Sequence, residues 1–212
     1  MKNILIMGIG RSGKTTLSNM IKNKYNSFNL IHSDCIKWGI IRAEGKEKYY
    51  EENVDEQKEW EHSKVFQNII LEFFNSSIRN DGGALGYLNG KNLTERNNSG
   101  IGSFGYILES GQLEPKCVSK KINFKNTIVI CLGLGTLTKQ DIFDLCRKND
   151  TEMDWSYQTS DADLRKHIDK WYEMNEQLKI ECPKYGIEYI DTSKNRKEVL
   201  NKILEDISNK IF

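Results

Sequence analysis

Eight residues near the start of the chain have the types and the spacing of a phosphate-binding loop. They run from Gly8 to Thr15 in the pattern G-x-x-x-x-G-K-[ST], directly after the apolar run from Ile4 to Met7. Glycines at the first and sixth positions let the backbone curl so that amide N–H groups point at one anion, and Lys14 adds a full positive charge. The following segment has helix-forming composition, so its N-terminus would also face the phosphates. The pattern predicts a bound nucleoside triphosphate, held by Gly8, Gly10, Arg11, Ser12, Gly13, Lys14, Thr15 and Thr16.

Asp34 is the first acid beyond the loop that is placed for chemistry. It lies just past the second predicted strand, and the carboxyl ends of parallel strands surround the ligand crevice in open α/β sheets. A carboxylate there accepts or orients the proton of a substrate hydroxyl during phosphoryl transfer, or binds magnesium. The alternative is structural, because an aspartate that opens the segment Cys35–Arg42 also caps a helix. Within that segment, Lys37, Trp38 and Arg42 either line an acceptor pocket or form a surface helix with one buried Trp.

Two oxygen-bearing side chains predict a magnesium site. Thr15 ends the loop with a hydroxyl, and Glu109 closes the apolar run Gly105–Leu108 at a predicted strand end. Nucleotide-binding proteins with this loop place a magnesium-organising acid at such a strand end, where aspartate is usual. Glutamate is a departure, and it would reach the ion through water, contact the substrate, or be a solvated strand-end acid.

Phosphoryl transfer also needs positive charge at the departing group. Arg147 ends one helical pattern and Arg165 lies near the start of the next, on either side of the polar stretch 148–160. We expect Arg147 to fold over the phosphates as the catalytic cation, with Arg165 as a second candidate. An arginine at position 147 would equally suit a helix C-terminus and its dipole, with no ligand at all.

The elements that must position these residues alternate along the chain. Strands are predicted at Asn3–Gly8, Asn29–His32, Phe104–Leu108, Thr127–Leu132 and Ile187–Ile190. Helices are predicted at Lys14–Lys24, Cys35–Arg42, Glu52–Arg79, Lys139–Lys148, Asp161–Glu181 and Lys197–Ile211. The long central helix is expected to share one apolar face among Trp60, Val65, Ile69, Ile70, Phe73 and Phe74. This order predicts an α/β fold, the three-layer sandwich of P-loop NTPases, with a five-stranded parallel sheet.

Two stretches interrupt that order within what we expect to be a single domain, residues 1–212. Residues 80–105 are rich in Gly and Asn and predict a long loop or hairpin, which is either a flap at the substrate site or an inert linker. Residues 148–160 are polar and lie between two helices, where we expect a small lid.

Composition and charge exclude several classes of function. The 31 basic and 30 acidic residues are mixed along the chain, so no basic face for nucleic acid or a membrane surface is present. No apolar stretch approaches the roughly 18 residues of a spanning helix, and we expect a cytoplasmic protein with a small-molecule partner. The five cysteines lack metal-binding spacing, and the three scattered histidines are expected to be structural. The sequence does not indicate an oligomeric state.

Several of these pieces together resemble the nucleoside, nucleotide and small-molecule kinases of the adenylate-kinase-like P-loop group. The resemblance covers most of the chain and rests on the loop Gly8–Thr15, Ser33-Asp34, Ile107-Leu108-Glu109, the Arg147 junction and Asp191-Thr192-Ser193. It implies ATP and Mg²⁺ as cofactors, and it puts Thr192, Ser193 and Arg196 near the adenine base. The chain lacks the G-x-P-G-x-G-K-G-T loop of adenylate kinase and its arginine-rich lid, which argues against AMP as the acceptor.

The predicted function is therefore an ATP-dependent kinase that phosphorylates a hydroxyl or phosphate on a small molecule, with Lys14, Asp34 and Arg147 as catalytic residues. The rival class is a GTPase or ATPase switch without a small-molecule acceptor. Its one motif is Thr138-Lys139-Gln140-Asp141, which imitates the guanine-reading pattern [NT]-K-x-D. This motif does not directly follow its strand, and Thr138 with Asp141 is also typical of a helix capping box.

Overall fold

The computed structural model describes residues 1–79 and 104–211. Its strands are β1 (Asn3–Gly8), β2 (Phe28–His32), β3 (Gly105–Ser110), β4 (Thr127–Gly133) and β5 (Glu188–Asp191). They form one parallel sheet in the order β2-β3-β1-β4-β5. The helices are α1 (Lys14–Lys24), α2 (Ser33–Ala43), α3 (Glu47–Glu52), α4 (Val54–Glu61), α5 (Lys64–Arg79), α6 (Pro115–Lys121), α7 (Lys139–Asn149), α8 (Asp161–Lys184) and α9 (Arg196–Ser208). The predicted five-stranded parallel sheet is confirmed.

Helices cover the sheet on both faces. All six residues of the central strand β1 are buried. Because side chains alternate along a strand, Leu5 and Met7 pack with α5, α6, α7 and α8, whereas Ile4 and Ile6 pack with α1 and α9. Both cores are made of apolar side chains, so burial on the two faces fixes the register of the sheet.

Three candidate groups meet at the carboxyl edge of the sheet. β3 lies between β2 and β1, with Glu109 in register with His32 on one side and Ile6 on the other. The phosphate-binding loop follows β1, and α2 with Asp34 follows β2. This strand order brings the loop, Asp34 and Glu109 to one edge, although β3 is far from both neighbours in sequence.

The prediction of one helix over Glu52–Arg79 is wrong, because the chain forms α3, α4 and α5 there with breaks at Asn53 and residues 62–63. The side chain of Ser63 accepts a hydrogen bond from the Phe66 amide and so supports a new helix start. The predicted apolar face is also partly wrong. Ile70 and Phe74 are buried, but Val65, Ile69 and Phe73 are exposed.

Other differences concern connections. Helix α6 was not predicted, since a seven-residue helix gives little periodicity. The predicted flap lies outside the described residues except for positions 104 and 105, and Gly105 begins β3. The capping box at the start of α7 is confirmed, since Thr138 and Asp141 exchange both bonds. Within the described ranges, no helix is both long enough and apolar enough to cross a membrane.

Candidate active site

The loop after β1 presents an uncapped helix start. Gly13 is the N-cap of α1 with φ 93°, a left-handed conformation that favours glycine, and no side chain bonds to the first-turn amides. The first turn contains Lys14 and no acidic residue. Thr16 is exposed in the same turn. The amides and dipole of α1 are therefore open to an anion at this end.

The glycine in the middle of the loop has a packing reason as well. A Cβ atom on Gly10 would lie 2.6 Å from the ring of Trp171, which reaches the loop from α8. Glycine at this position thus lets an indole lie directly against the loop backbone. The sequence motif gives no sign of this contact, because Trp171 is far away along the chain.

Lys14 is buried and lies close to the acids of the site. Its Nζ donates to the carbonyl oxygen of Ile9 at 2.7 Å, and Ser12 Oγ donates to the same oxygen at 2.8 Å. Burial lowers the pKa of Lys14, and the charges of Glu109 and Asp34 offset this only in part. The ammonium group is thus held inside the loop, where a phosphate would restore a full ionic partner.

Glu109 joins the loop to β2. Its Oε1 accepts a hydrogen bond from Thr15 Oγ1 at 2.8 Å, and its Oε2 lies 2.8 Å from His32 Nδ1. His32 was not among the predicted site residues, and the parallel pairing of β2 with β3 is what brings it here. Its ring orients the carboxylate from the side opposite the loop.

These groups fit a magnesium ion in their chemistry. The hydroxyl of Thr15 and the carboxylate of Glu109 are hard oxygen ligands in direct contact. Among the described residues, no group of three or more His, Cys, Asp and Glu side chains is placed to hold a metal. Magnesium is usually held by one or two protein oxygens together with substrate phosphates and water, and Thr15 with Glu109 would supply the protein oxygens.

Asp34 lies in the first turn of α2 but does not cap it, because His32 is the N-cap and no side chain makes a capping bond. Asp34 Oδ1 accepts from Gln112 Nε2 at 2.8 Å and lies 3.3 Å from Lys37 Nζ. Asp34 Oδ2 has no hydrogen-bond partner among the described residues, so it can accept a hydrogen bond from a ligand. Burial acts to raise the pKa of Asp34, but Lys37, Gln112 and Lys14 outweigh it, and the pKa lies below its ordinary 3.8.

The amide of Gln112 is itself fixed in orientation. Its Oε1 accepts hydrogen bonds from Ser33 Oγ at 2.6 Å and Ser110 Oγ at 3.1 Å, which turns its nitrogen toward Asp34. Gln112, Ser33 and Ser110 are all buried. This polar chain connects the end of β3 to the start of α2, and sequence patterns gave no signal for it.

Arg11 connects the loop to the predicted lid stretch. Its backbone has φ 61°, which costs an L-residue about 1–2 kcal/mol relative to ordinary helix geometry. Its guanidinium donates to Asp154 Oδ1 at 3.0 Å and also bonds Asp150 and Ser156. The side chain of Asp150 is almost fully buried, and Arg11 is its main ionic partner. The side chain of Arg11 is thus committed to carboxylates here, while its backbone amide remains part of the loop.

Arg147 lies elsewhere than the sequence predicted. Its guanidinium donates to the carbonyl oxygens of Ser156 and Thr159, both at 2.7 Å, and to Asp161 Oδ1 at 2.6 Å. These contacts hold the stretch 150–160 and the start of α8, and none of the hydrogen bonds of Arg147 within the described residues goes to the loop. Arg165 contacts Gln140 at 3.0 Å, also away from the loop. The expected cationic cover over the phosphates is therefore not the arrangement observed for either arginine.

The residues expected near the base divide into two kinds. Thr192 is fully buried, and its hydroxyl lies 2.8 Å from the Ser12 carbonyl oxygen and 3.0 Å from that of Gly133. Its hydroxyl is therefore engaged with the backbone of the loop and of β4, and a role for Thr192 near the base stays a prediction. Arg196 begins α9, and its Cδ would lie 3.7 Å from a Cβ on Gly13. Ser193 is partly exposed after β5 and contacts Thr136.

The candidate residues surround one cavity of about 1180 Å³. One end, which we call the phosphate end, is formed by Gly10, Arg11, Lys14, Thr15, Glu109 and Asp154. The rest, which we call the acceptor half, lies between α2, α4 and α8 and includes Asp34, Lys37, Trp38, Lys58, Glu61, His167, Lys170 and Trp171. Arg147 and Thr192 do not line the cavity.

No protein-family model and no curated protein matches this sequence. Among solved structures, the chain is similar to shikimate kinase from Bacteroides thetaiotaomicron, with 15% sequence identity and a TM-score of 0.50. The alignment covers 98% of this chain and 98% of that chain. The chain has the P-loop kinase fold. At this level of identity the similarity concerns architecture, and it leaves reaction and substrate to the site itself.

Proposed function

We propose that this protein is a kinase that transfers the γ-phosphoryl group of ATP to a hydroxyl or phosphate of a small molecule. The observation that carries the proposal is that Lys14, after β1, and Asp34, after β2, line the same cavity from either side of β3. Each charge influences the other, since Asp34 raises the pKa of Lys14 and Lys14 lowers that of Asp34. The cation that would bind phosphate, Lys14, thus shares the cavity with the Asp34 carboxylate, whose Oδ2 can accept a hydrogen bond from a ligand.

The residues would act in a fixed division of labour. Lys14 and the uncapped amides of α1 bind the phosphates, and Asp34 orients the acceptor hydroxyl. The acceptor oxygen forms a bond to the γ-phosphorus, the bond from that phosphorus to the bridging oxygen breaks, and ADP leaves. The proton of the hydroxyl passes to Asp34 Oδ2. Gln112 and Lys37 hold Oδ1 and so keep Oδ2 pointed at the acceptor.

Thr15 and Glu109 are the residues that would hold magnesium, with His32 orienting the carboxylate. When bound, the ion supplies charge neutralisation to the phosphate oxygens. The lowered pKa of Asp34 keeps it ionised at neutral pH, so its carboxylate can accept a hydrogen bond from the acceptor hydroxyl and orient it.

The contacts of the motif Thr138-Lys139-Gln140-Asp141 give little support to the alternative hypothesis of a nucleotide-dependent switch. Asp141 Oδ2 accepts from the backbone and the hydroxyl of Thr138, at 2.8 and 2.7 Å, and these bonds occupy the carboxylate in helix capping. Lys139 pairs with Asp169 at 2.6 Å. The two residues that would read guanine are thus both engaged in local structure.

A coupled ADP-release assay tests the proposal. Mg-ATP is supplied with a panel of nucleosides, nucleoside monophosphates, sugars and hydroxylated antibiotics, and Mg-GTP is run in parallel. We expect at least one acceptor to stimulate ADP release well above basal hydrolysis. Slow hydrolysis that no acceptor stimulates, with GTP preferred to ATP, would instead support a nucleotide switch.

A further inference from the structure

The acceptor half contains an ionic cluster in which each lysine is already paired with a carboxylate. Lys37 Nζ lies 2.9 Å from Glu61 Oε2 and 3.3 Å from Asp34 Oδ1, while Lys58 Nζ lies 2.5 Å from Glu61 Oε1. The side chains of Lys37 and Glu61 are only 9% and 2% exposed. Both oxygens of Glu61 are therefore in use, and the charges of Lys37 and Lys58 are balanced by Glu61 and Asp34 together.

The ionisation of this cluster is stable at neutral pH. Burial acts to lower the pKa of Lys37, but Glu61 and Asp34 outweigh it and raise the pKa above its ordinary 10.5. Burial acts to raise the pKa of Glu61, but Lys58 and Lys37 outweigh it and the pKa lies below its ordinary 4.5. Lys37 and Glu61 are therefore both charged at pH 7, and a further anion beside them would have to approach the carboxylates of Glu61 and Asp34.

The remaining charges of the acceptor half do not favour an anion either. Lys170 of α8 is paired with Asp55 at 2.6 Å. Burial lowers the pKa of His62 and of His167, so both rings are neutral at pH 7. Among the described residues of the acceptor half, four lysines (Lys37, Lys58, Lys116 and Lys170) stand against five acids (Asp34, Glu61, Glu114, Glu173 and Glu181). This near-balance lacks the excess of cations expected of a pocket built to hold a carboxylate or phosphate.

Aromatic rings supply the other part of the wall. Trp155 and Trp171 meet edge to face with their centroids 6.0 Å apart, and His167 lies 4.9 Å from Trp155. Trp155 is 54% exposed and lines the cavity. Indole faces next to an excess of carboxylates suit the apolar face of a ring, and they also attract an amine through its charge.

We propose that the phosphoryl acceptor is an alcohol that carries no anionic group, either uncharged or bearing an amine. This inference rests on the proposed kinase function and narrows it, since a phosphate acceptor and a carboxylate-bearing alcohol are both excluded. The transferred group then goes to a hydroxyl oxygen positioned by Asp34. Specificity would come from paired lysines, because Glu61 and Asp34 already occupy the two ammonium groups, Lys37 and Lys58, that an anion would otherwise use.

Matched acceptor pairs test the inference in the ADP-release assay. Each pair differs by an anionic group: a nucleoside and its 5′-monophosphate, a sugar or amino sugar and its phosphate ester, and a cyclic polyol and a hydroxy acid such as shikimate. We expect kcat/KM for the non-anionic member of the active pair to be at least about tenfold higher, which is the scale of one unfavourable charge contact. Equal values, or a preference for the anionic member, would overturn the inference while leaving the kinase function intact. Absence of stimulation by every acceptor would remove the kinase function itself.

Variants of the cluster give a second readout. Glu61→Gln leaves Lys37 and Lys58 without their shared acid, so kcat/KM should shift toward the anionic member of the pair by about tenfold. Glu59→Gln makes the same change on the exposed side of α4 and should leave the ratio unchanged. If the Glu61 variant does not fold, Lys58→Gln removes the more exposed cation and should shift the ratio further against the anionic member. A ratio that neither cluster variant changes would overturn the inference.

Discussion

The two ends of the cavity are built in opposite ways. The phosphate end comes mainly from four residues of one loop, Gly10, Arg11, Lys14 and Thr15, with Glu109 from β3 and Asp154 from the stretch 150–160. The acceptor half is assembled from α2, α4 and α8, which are separated by up to about half of the chain. A ligand that is shared by many proteins can be bound by a local motif, whereas an individual acceptor requires side chains from distant segments.

The ends also differ in how their charges are satisfied. At the phosphate end, Lys14 donates only to a backbone carbonyl oxygen, and the first turn of α1 has no side-chain cap. In the acceptor half, Lys37, Lys58 and Lys170 each have a carboxylate partner. Lys14 and the start of α1 can therefore bind an anion, whereas Lys37, Lys58 and Lys170 already have carboxylate partners in place of one. Substitutions in each half should therefore have separable effects.

The largest effect is expected at the phosphate end. Lys14→Ala removes the charge that stabilises the transferring phosphoryl group, so kcat should fall by about 10²–10³-fold or more, while acceptor binding changes little. Stability should be nearly unchanged, because the ammonium group is buried without a carboxylate partner. Steady-state kinetics and thermal unfolding measure both. Lys24→Ala on the same helix is the matched control, and a Lys14 variant with more than a tenth of the original turnover would contradict the role.

The next effect concerns the boundary between the two ends. Asp34→Asn preserves shape and keeps an oxygen for Gln112, but it cannot take a proton, so kcat should fall by about 10²-fold with the Kd of ATP within about twofold. Because the pKa of Asp34 is lowered, the carboxylate persists as pH falls and is lost only below 3.8. Wild-type kcat should consequently show no loss from this group between pH 5 and 8. A variant that mainly lowers the melting temperature would identify Asp34 as a structural residue.

The same contrast explains what the sequence could predict. The loop, its helix and the bounds of β1 follow from adjacent residues, and the predicted strand Asn3–Gly8 matches the observed one. Candidate residues at strand ends also follow from the sequence, because a parallel sheet gathers those ends at one edge. Asp34 lies just past β2 and Glu109 near the end of β3, and their roles stay predictions.

The site residues that the sequence did not predict are those whose contacts are with residues far away along the chain. His32 and Gln112 matter through contacts with Glu109 and Asp34, which lie 77 and 78 residues away in sequence. Trp171 reaches Gly10 from another part of the fold altogether. Composition and periodicity carry no information about such pairs. The bond of the buried Thr192 hydroxyl to the Ser12 carbonyl oxygen is another such distant contact.

Arg147 is the residue for which sequence and contacts differ most, and the smallest effect is expected there. Its hydrogen-bond partners lie in the stretch 156–161 and Asp150 lies 3.9 Å away, so Arg147→Ala should destabilise the protein by about 1–3 kcal/mol through lost charged hydrogen bonds. Cleavage by a protease between residues 150 and 160 should increase, and the Kd of ATP should change by less than about threefold. Lys148→Ala, at the exposed neighbouring position, should leave stability, cleavage and ATP affinity as they are. The opposite outcome is a fall in kcat of about a hundredfold at an unchanged melting temperature. In that case the Arg147 side chain would have to reach the phosphates during turnover. The phosphate end would then include Arg147 as well, a residue that lies before the stretch 150–160 in the chain.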